Sequence, residues 1–333
     1  MARLSVVILN WNGRHHMERF LPSVVEHTSG DAEVVVADNG SSDDSLAWLR
    51  MNYPRVRVIA LDRNYGFAGG YNRALEQLSA EYVVLLNSDV EVVSGWWQPL
   101  VELLDGNARI AAVVPKLRSV GQRDSFEYAG ASGGFIDYLG YPFCRGRILS
   151  TVERDEGQYD QRREIFWGSG AALCCRRELY LELGGLDEMF FAHQEEIDLQ
   201  WRMQLAGYSI YVEPRSVVYH LGGGTLPASP TKVYLNHRNN LAMLYKCASP
   251  MQRCVVAVLR PLTDMAEAVA HLLMLRPRMA WAVVRAWWSF LCWHRQLATK
   301  RREVLRLKKP VGIYRFSIII RYIIGFHKFN RVM

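Results

Sequence analysis

The densest group of side chains able to perform acid–base chemistry lies between residues 190 and 202. Three carboxylates fall within four residues there, at Glu195, Glu196 and Asp198. The apolar residues Ile197 and Trp201 are four positions apart, which predicts a helix with one buried face. Glu195 and Glu196 would lie near the start of this helix. There they either point into a cleft as catalytic groups or complement the helix dipole.

A second acidic group follows a segment that is predicted to be a buried strand. Residues 82–86 form a short apolar run, and Asn87, Asp89 and Glu91 come directly after it. Carboxylates just past a strand could hold a hard divalent cation, which prefers oxygen ligands. Asp89 is the first candidate and Glu91 the second. The alternative is that Asn87 and Asp89 form a turn that caps the next helix.

The elements around these groups indicate an α/β protein. Apolar runs of strand length at residues 4–9, 33–38 and 56–60 alternate with segments that can form helices. This order predicts a doubly wound, mostly parallel sheet, which binds ligands beyond the carboxyl ends of its strands. The polar residues that fall at this edge are Asn10, Asn12, Asp38, Asn39, Asp62 and Asn64. The sequence therefore predicts a nucleotide site at this edge.

The remaining motifs are each open to two interpretations. The glycine-rich segment 66–70 matches neither a dinucleotide fingerprint nor the phosphate loop of NTPases, so it is either a binding loop or a tightly packed turn. Residues 118–163 lack periodicity and are predicted to be an inserted hairpin or mobile loops over the site. Residues 165–173 are predicted to be a strand whose glycines allow another group to approach closely.

One histidine ends a predicted strand. His220 follows the apolar residues 217–219, and the glycines at 222–224 after it would let a phosphate group come close. The side chain is either a metal ligand or an ordinary core or turn residue.

In this order, the segments resemble the family 2 glycosyltransferases with a GT-A fold, in particular a bacterial rhamnosyltransferase-like branch. The resemblance covers about residues 3–246. It rests on the motifs at 6–13, 36–43, 64–72, 87–89 and 167–202, together with His220.

The resemblance implies a role for particular residues. A nucleotide-sugar donor would bind Asn10, Asn12, Asp38, Asn39, Asn64, Gly66, Asn72 and Asn87. Asp89 would coordinate Mg²⁺ or Mn²⁺ on the donor diphosphate, and His220 would complete the coordination. The family's base is the second residue of an acidic pair, here Glu196, with Glu195 and Asp198 as alternatives.

Four further residues are assigned to the acceptor side or to structure: Trp167, Gly168, Asp198 and Arg202. Asp198 and Arg202 are one helical turn apart and are expected to form an ion pair that orients the helix. The recurring pair Arg238 and Asn239 belongs to the element that closes the catalytic domain in this branch.

The implied reaction is inverting sugar transfer, from dTDP-rhamnose or a UDP-hexose to a hydroxyl of a lipid-linked or polysaccharide acceptor. A base deprotonates the acceptor hydroxyl, which attacks the anomeric carbon while the nucleoside diphosphate leaves. Two other classes remain possible from the residues. A sugar nucleotidyltransferase would use a similar sheet and acidic site, and a non-catalytic glycan-binding relative would keep the fold without the reaction.

The distribution of charge divides the chain in two. The 333 residues carry a formal net charge of +7, but residues 246–333 hold 17 Lys and Arg against only 3 Asp and Glu. This predicts a catalytic domain at 1–245 and a basic, Trp-rich helical region at 246–333. No recognisable nucleic-acid module accompanies the basic residues, so nucleic-acid binding is not expected.

The apolar runs of the basic region are interrupted by charges and are too short to span a bilayer. Tryptophan and basic side chains in such runs are typical of helices lying in the interface of an anionic membrane, and the alternative is a soluble bundle packed on the catalytic domain. The residues in question are Trp281, Trp287, Trp288, Trp293, Arg276, Arg278, Arg285, Arg295, Lys300, Arg301 and Arg302.

The expected location is the inner face of the cytoplasmic membrane. Residues 1–4 do not begin a secretory signal. The six cysteines contain no C-x-x-C pair and are expected to be buried thiols.

Overall fold

The computed structural model describes residues 2–222 and 229–333. The strands are β1 Leu4–Asn10, β2 Ala32–Asp38, β3 Arg57–Ala60, β4 Tyr82–Asn87, β5 Val90–Val92, β6 Ile110–Ser119, β7 Gly134–Asp137, β8 Pro142–Cys144, β9 Arg147–Ile148, β10 Thr151–Val152, β11 Arg163–Ile165, β12 Ala172–Arg176, β13 Ser209–His220 and β14 Ile313–Tyr314. The α-helices are α1 Arg14–His27, α2 Ser45–Asn52, α3 Gly66–Glu76, α4 Gln98–Gly106, α5 Arg177–Glu182, α6 Glu195–Leu205, α7 Pro230–Cys247, α8 Pro250–Leu273, α9 Pro277–Cys292, α10 His294–Glu303 and α11 Ile318–Ile323.

The N-terminal half of the main sheet is parallel, as predicted. Strands β3, β2, β1 and β4 lie side by side in that order. Their residues are continuous apolar runs because both faces of the sheet are covered and buried. The register places Asn10 opposite Asp38 and Leu9 opposite Asn87, so the polar ends of three strands meet at one edge.

The other half of the sheet is mixed. Strand β12 is antiparallel to β4 and β6, and β13 runs parallel to β6. The two strands predicted at 209–212 and 217–220 are one strand, β13, whose pairing with β6 shifts register between Glu213 and Val217. The single strand predicted at 165–173 is wrong. Strands β11 and β12 flank a non-strand segment there, and a side chain at Gly168 would overlap Val114.

Residues 118–163 are not mobile loops. They contribute β7 to β10 of a second sheet, and β14 from the C-terminal region completes it by pairing in parallel with β7. The predicted hairpin corresponds to the antiparallel pair of β7 and β8. Phe329 packs on Phe135 and Phe143, with ring centroids 5.1 and 6.1 Å apart. The aromatic core of this small sheet therefore draws on both parts of the sequence.

The C-terminal helices pack against α7. Helix α7 runs through the predicted boundary at 245/246, and the guanidinium of Arg301 donates to the carbonyl oxygens of Tyr245 and Ala248 at its end. The division at 245 stays a prediction. No helix within residues 2–222 and 229–333 is both long enough and apolar enough to cross a bilayer.

Three residues assigned to a membrane face point inward instead. Lys300 lies 3.0 Å from Asp187, Arg301 binds α7, and the indole N–H of Trp287 donates to Asp264. The expectation of buried thiols is also wrong for Cys254 and Cys292, which are exposed. Helices α8 and α9 do leave an exposed apolar surface, because α9 packs on α7 and α8 packs on α9 with only part of each helix covered.

Candidate active site

The carboxyl ends of β1 and β2 form the floor of the candidate site. The side-chain amide of Asn10 donates to Asp38 Oδ1 at 2.9 Å and to Ser41 Oγ at 3.1 Å. The other oxygen of Asp38 accepts from the Ser41 backbone N–H at 3.0 Å. Asn10 Oδ1 is buried and has no hydrogen-bond partner among the described residues. An unsatisfied buried acceptor costs free energy unless a ligand supplies a donor.

The predicted nucleotide residues on the loops mostly bind one another. Asn12 has a positive φ of 50° and accepts from the backbone N–H groups of Ser42 and Asp43. Asn39 donates to Asn64 Oδ1 at 3.0 Å and to the carbonyl of Gly66 at 2.9 Å. These amides therefore fix the shape of the loops around the sheet edge.

Gly66 links this edge to the acidic segment. Its φ is +74°, and a Cβ atom there would lie 2.6 Å from the ring of Phe191. The next residue, Phe67, donates its backbone N–H to the Phe191 carbonyl at 3.0 Å. The glycine is therefore needed for a left-handed conformation and for close packing on the turn before α6.

Asn72 and Asn87 have different surroundings. The Asn72 side chain donates to the carbonyl of Leu186 at 2.9 Å and accepts from its N–H at 3.0 Å and from the Tyr180 hydroxyl at 2.6 Å. It thus holds the segment that leads to α6. Asn87 ends β4, and its backbone N–H donates to the carbonyl of Ala171 at 2.9 Å.

Asp89 and His220 come together beyond β4, because the end of β13 pairs with β5. His220 Nε2 lies 3.2 Å from Asp89 Oδ1. Asp89 is 2% exposed, and its second oxygen, Oδ2, is buried without a partner among the described residues. The free oxygen of a buried carboxylate is a ligand that fits Mg²⁺ or Mn²⁺, and His220 would join it only as a neutral imidazole, after losing the proton that its neighbouring carboxylates stabilise. The glycine loop predicted after His220 falls on residues 222–225, which lie mostly outside the described part of the chain.

Glu127 is a third member of this cluster that sequence reasoning missed. Its Oε1 lies 3.5 Å from His220 Nδ1, and its other oxygen accepts from the Ala129 backbone N–H at 2.5 Å. Burial lowers the pKa of His220, but the carboxylates of Asp89 and Glu127 outweigh it and raise the pKa to about 10. Glu127 lies in the aperiodic segment 118–163, where no sequence pattern marked it.

Helix α6 begins at Glu195, as the sequence predicted, and its apolar positions Ile197 and Trp201 are buried. The turn before it is strained. Phe191, His193 and Gln194 all have positive φ, at 64°, 69° and 71°. Backbone strain of this kind persists only where the surroundings impose it, and it concentrates at functional sites.

The two glutamates are buried to different degrees. Glu195 is fully buried, and burial raises its pKa well above the usual range. Glu196 is partly exposed, with one buried oxygen that has no partner among the described residues, and burial raises its pKa to about 7. A carboxyl group that titrates near neutral pH suits a general base.

Three consecutive residues of α7 hold the strained turn. The amide of Asn239 lies 3.0 Å from the carbonyl of Phe190 and 2.8 Å from those of Ala192 and His193. Arg238 donates to the Phe190 carbonyl at 3.2 Å, and Asn240 donates to Gln194 Oε1 at 3.1 Å. The sequence marked Arg238 and Asn239 as a pair, but their contact with this turn is visible only in the structure.

Trp167 and Gly168 join the acidic helix to the sheet. Gly168 donates its N–H to Gln200 Oε1 at 2.6 Å and accepts from Gln200 Nε2 at 2.7 Å. The Trp167 indole donates to the carbonyl of Phe135 in the second sheet at 2.9 Å. A Cβ atom on Gly170 would lie 3.4 Å from Glu196 Cβ. Gly170 precedes Ala171, whose carbonyl accepts from the backbone N–H of Asn87. Glu196 therefore lies near the end of β4, at the same edge of the sheet.

Asp198 faces away from this cleft. Its oxygens lie 2.9 Å from Arg202 Nε and 2.8 Å from Lys246 Nζ, and Asp198 is fully buried. Lys246 also binds Asp187 at 2.5 Å. The Asp198–Arg202 ion pair expected from the spacing is thus part of a larger buried network that anchors α6 to α7.

Comparison with known proteins gives a consistent result. Residues 5–177 match the family model described as "Glycosyl transferase family 2". The N-acetylglucosaminyl-diphospho-decaprenol L-rhamnosyltransferase of Mycobacterium tuberculosis is 29% identical over 260 residues, which cover 72% of this chain and 83% of that protein.

Two solved structures share the fold. A crystal structure of GalNAc-T7 with UDP, GalNAc and Mn²⁺ superposes with a TM-score of 0.62 at 19% identity, over 78% of this chain and 51% of that one. The mannosyltransferase PcManGT from Pyrobaculum calidifontis, in complex with GDP-Man and Mn²⁺, gives a TM-score of 0.54 at 15% identity, over 91% and 84%. These similarities confirm the predicted GT-A architecture.

Proposed function

The chain belongs to glycosyl transferase family 2, and on that premise we propose that it transfers a sugar from a nucleoside-diphosphate sugar to an acceptor hydroxyl with inversion. The observation that supports the proposal most is that Asp89 and Glu196 both lie near the end of β4, at the same edge of the sheet. Asp89 with His220 lies beyond β4, and Glu196 lies against the segment that pairs with the end of β4.

Glu196 is the proposed base. Its carboxylate removes the proton of the acceptor hydroxyl, and the hydroxyl oxygen forms the new bond to the anomeric carbon as the nucleoside diphosphate leaves with the old bonding pair. Glu195 is less suited because it is fully buried, and burial raises its pKa well above the usual range, which favours the protonated form. Asp198 is less suited because Arg202 and Lys246 engage both of its oxygens.

Asp89 and His220 would hold the divalent cation. When bound, Mg²⁺ or Mn²⁺ supplies positive charge to the diphosphate of the donor. The base of the nucleotide is proposed to bind near Asn10 and Asp38, where a buried acceptor atom is left without a partner among the described residues. The strained turn before α6 leads into Glu195 and Glu196, and its role in this proposal is to hold Glu196 in place relative to the donor edge.

The proposed donor is dTDP-rhamnose or a UDP-hexose, and the proposed acceptor is a lipid-linked sugar in cell-surface glycan synthesis. Support comes from the similar mycobacterial protein, whose name specifies rhamnosyl transfer to a diphospho-decaprenol-linked sugar. An acceptor of this kind resides in a membrane. We therefore propose a peripheral enzyme at the inner face of the cytoplasmic membrane, held there by the exposed apolar face of α8 and α9.

The decisive experiment measures both binding and turnover with the full chain. Thermal stabilisation by UDP, dTDP, UTP and dTTP is recorded with and without Mn²⁺, and hydrolysis of a panel of nucleotide-sugars follows. We expect the diphosphates and one or more of their sugars to stabilise the protein only with Mn²⁺, and slow donor hydrolysis that is lost in Asp89→Ala. Stabilisation by the triphosphates alone would indicate nucleotidyl transfer. Hydrolysis that persists in Asp89→Ala would contradict the proposed site.

A further inference from the structure

Two guanidinium groups face one aromatic ring beside the active-site turn. The Cζ atom of Arg238 lies 4.9 Å from the ring centroid of Tyr234, and that of Arg285 lies 4.4 Å from it. Arg238 also donates to the Tyr234 hydroxyl at 3.2 Å, and this hydroxyl donates to Ser289 Oγ at 3.0 Å. Helices α7 and α9 thus place two positive charges on a single small patch, defined by Tyr234, Arg238 and Arg285.

This patch has no compensating carboxylate. Within the described residues, neither Arg238 nor Arg285 forms an ion pair with a carboxylate, although Arg238 is only 8% exposed. Its other contacts are the side-chain oxygen of Asn239 at 2.9 Å, the carbonyl of Phe190 and the ring of Trp293. Buried charges in proteins are normally paired, and the neutral oxygens around Arg238 satisfy its hydrogen bonds but not its charge, which favours an anion from outside the chain beside it. Burial and the neighbouring Arg285 also lower the pKa of Arg238.

The surroundings of the patch indicate which kind of anion it binds. On one side, Arg238 binds Phe190 in the strained turn that leads to Glu196. On the other side, Arg285 lies on α9 four residues after Trp281 and three before Trp288, so the three side chains share one helical face. Both tryptophans are exposed, Trp281 by 65% and Trp288 by 72%. The patch therefore lies between the proposed base and an aromatic surface suited to a membrane interface.

We propose that Tyr234, Arg238 and Arg285 bind the diphosphate of an isoprenoid-diphosphate-linked acceptor, with the lipid chain directed along the face of Trp281 and Trp288. The planar guanidinium forks match phosphate oxygens in geometry and charge. The donor diphosphate has its own site at Asp89 and His220. This inference rests on the proposed function, because it assigns the binding site of the proposed acceptor.

The test uses the full chain in detergent-free buffer, with farnesyl diphosphate as the probe and farnesol as its uncharged counterpart. Binding is measured by calorimetry for the wild type, for Arg285→Gln and for the matched control Arg278→Gln. Arg278 also lies on α9 and is exposed, but it does not contact Tyr234. UDP binding with Mn²⁺ is measured in parallel for each protein.

We expect Arg285→Gln to weaken farnesyl diphosphate binding by roughly tenfold, which is the usual effect of losing one charge-assisted contact. Arg285→Gln should change the affinity for farnesol by less than about twofold. Arg278→Gln should change the affinity for farnesyl diphosphate by less than about twofold. Unchanged affinity in Arg285→Gln, or an equal loss in Arg278→Gln, would overturn the assignment. An equal loss of UDP affinity in Arg285→Gln would place the patch on the donor side and would also overturn it. If the wild type binds farnesyl diphosphate but no nucleoside diphosphate, the proposed function fails while the anion site stands.

Discussion

The side-chain amide of Asn239 on α7 lies 2.8 Å from the carbonyl oxygen of His193, a residue with a positive φ of 69° in the turn before the acidic helix. The same amide also reaches the carbonyls of Phe190 and Ala192. One side chain therefore holds three carbonyl groups of a strained turn, and this turn leads directly into the first residues of α6, Glu195 and Glu196. This contact makes α7 part of the active-site framework.

Replacing Asn239 by alanine is expected to lower kcat by about tenfold to a hundredfold, because a displaced turn misplaces Glu196. The buried carbonyls that lose their donor should reduce the unfolding free energy by about 1–3 kcal/mol. Steady-state kinetics and urea unfolding measure the two effects. Asn236→Ala, on the same helix, is the control and should leave both nearly unchanged. An Asn239→Ala variant with full activity would show that the turn does not depend on this contact.

Glu196→Gln is expected to lower kcat by about 10²- to 10⁴-fold, the usual contribution of a general base. Glu195→Gln should retain most activity, because burial raises the pKa of Glu195 and so favours its protonated form, which glutamine resembles. Full activity of Glu196→Gln together with loss in Glu195→Gln would reverse the assignment.

The activity of the wild type should rise with pH through about 7, the raised pKa of Glu196, because the base must be deprotonated. Stability should respond in the opposite direction. Between the ordinary value of 4.5 and about 7, the folded protein retains a proton on Glu196 that the unfolded chain has lost, so the unfolding free energy falls as pH rises. Glu196→Gln should remove the rise in activity and the part of the stability change that Glu196 causes, while the contribution of the buried Glu195 remains. Urea unfolding and kcat, both measured from pH 5 to 9, test these expectations. A wild-type kcat that does not change with pH around 7 would contradict the role of Glu196 as the base.

Asp89→Asn should abolish the Mn²⁺-dependent stabilisation by UDP, since a carboxylate ligand is replaced by a neutral amide. His220→Ala should weaken Mn²⁺ binding by about tenfold to a hundredfold or more, the range reported for groups that support metal sites. Calorimetry with Mn²⁺ and UDP measures both. Glu91→Gln is the control, because Glu91 is paired with Arg123 at 2.5 Å rather than with the cluster. Equal losses in Glu91→Gln would show that the metal site has been placed wrongly.

Changing both Trp281 and Trp288 to alanine should weaken binding to vesicles containing phosphatidylglycerol by about tenfold or more. Each substitution removes an exposed indole whose apolar area the membrane interface would cover. The melting temperature should not fall, since neither side chain is buried. Met51→Ala, an exposed apolar residue on α2, serves as the control in a vesicle sedimentation assay. Undiminished sedimentation of the double variant would rule out this surface.

Lys246→Met should destabilise the fold by about 3–5 kcal/mol, because two buried carboxylates, Asp187 and Asp198, lose a shared partner. Burial raises the pKa of Asp187, but Lys246 and Lys300 outweigh it and lower the pKa to about 2. The stability this provides is present above pH 3.8 and is lost as pH falls toward 2, and in the variant the loss should begin at higher pH. Acid and urea unfolding test this, with the exposed Lys309→Met as control.

The ion pairs of Lys246 also bear on whether residues 1–245 can fold without residues 246–333. Deleting residues 246–333 should prevent stable folding, because the deletion removes Lys246, β14 and the ring of Phe329 from the core. A truncated chain that folds cooperatively would instead support two independent domains divided at 245.

The sequence alone predicted the features that depend on neighbouring residues. Continuous apolar runs identified β1, β2 and β4 because strands buried on both faces leave no polar position. The four-residue spacing of Ile197 and Trp201 identified α6, whose start at Glu195 follows from the acidic residues there. The polar ends of these strands located Asn10, Asp38 and Asp89, and the order of the motifs indicated the family.

Only the tertiary structure decided which distant segments meet. The pairing of β7 with β14 joins residues about 180 positions apart, and Glu127 reaches His220 from a segment without periodicity. The three carbonyl contacts of Asn239 and the buried, unpaired Arg238 likewise depend on how α7 packs against the turn before α6. Local patterns report whether a residue is buried and in what kind of element, but not which partner it finds. For this protein, the sequence therefore determined the parallel half of the sheet and the candidate carboxylates, and long-range packing decided how they are held together.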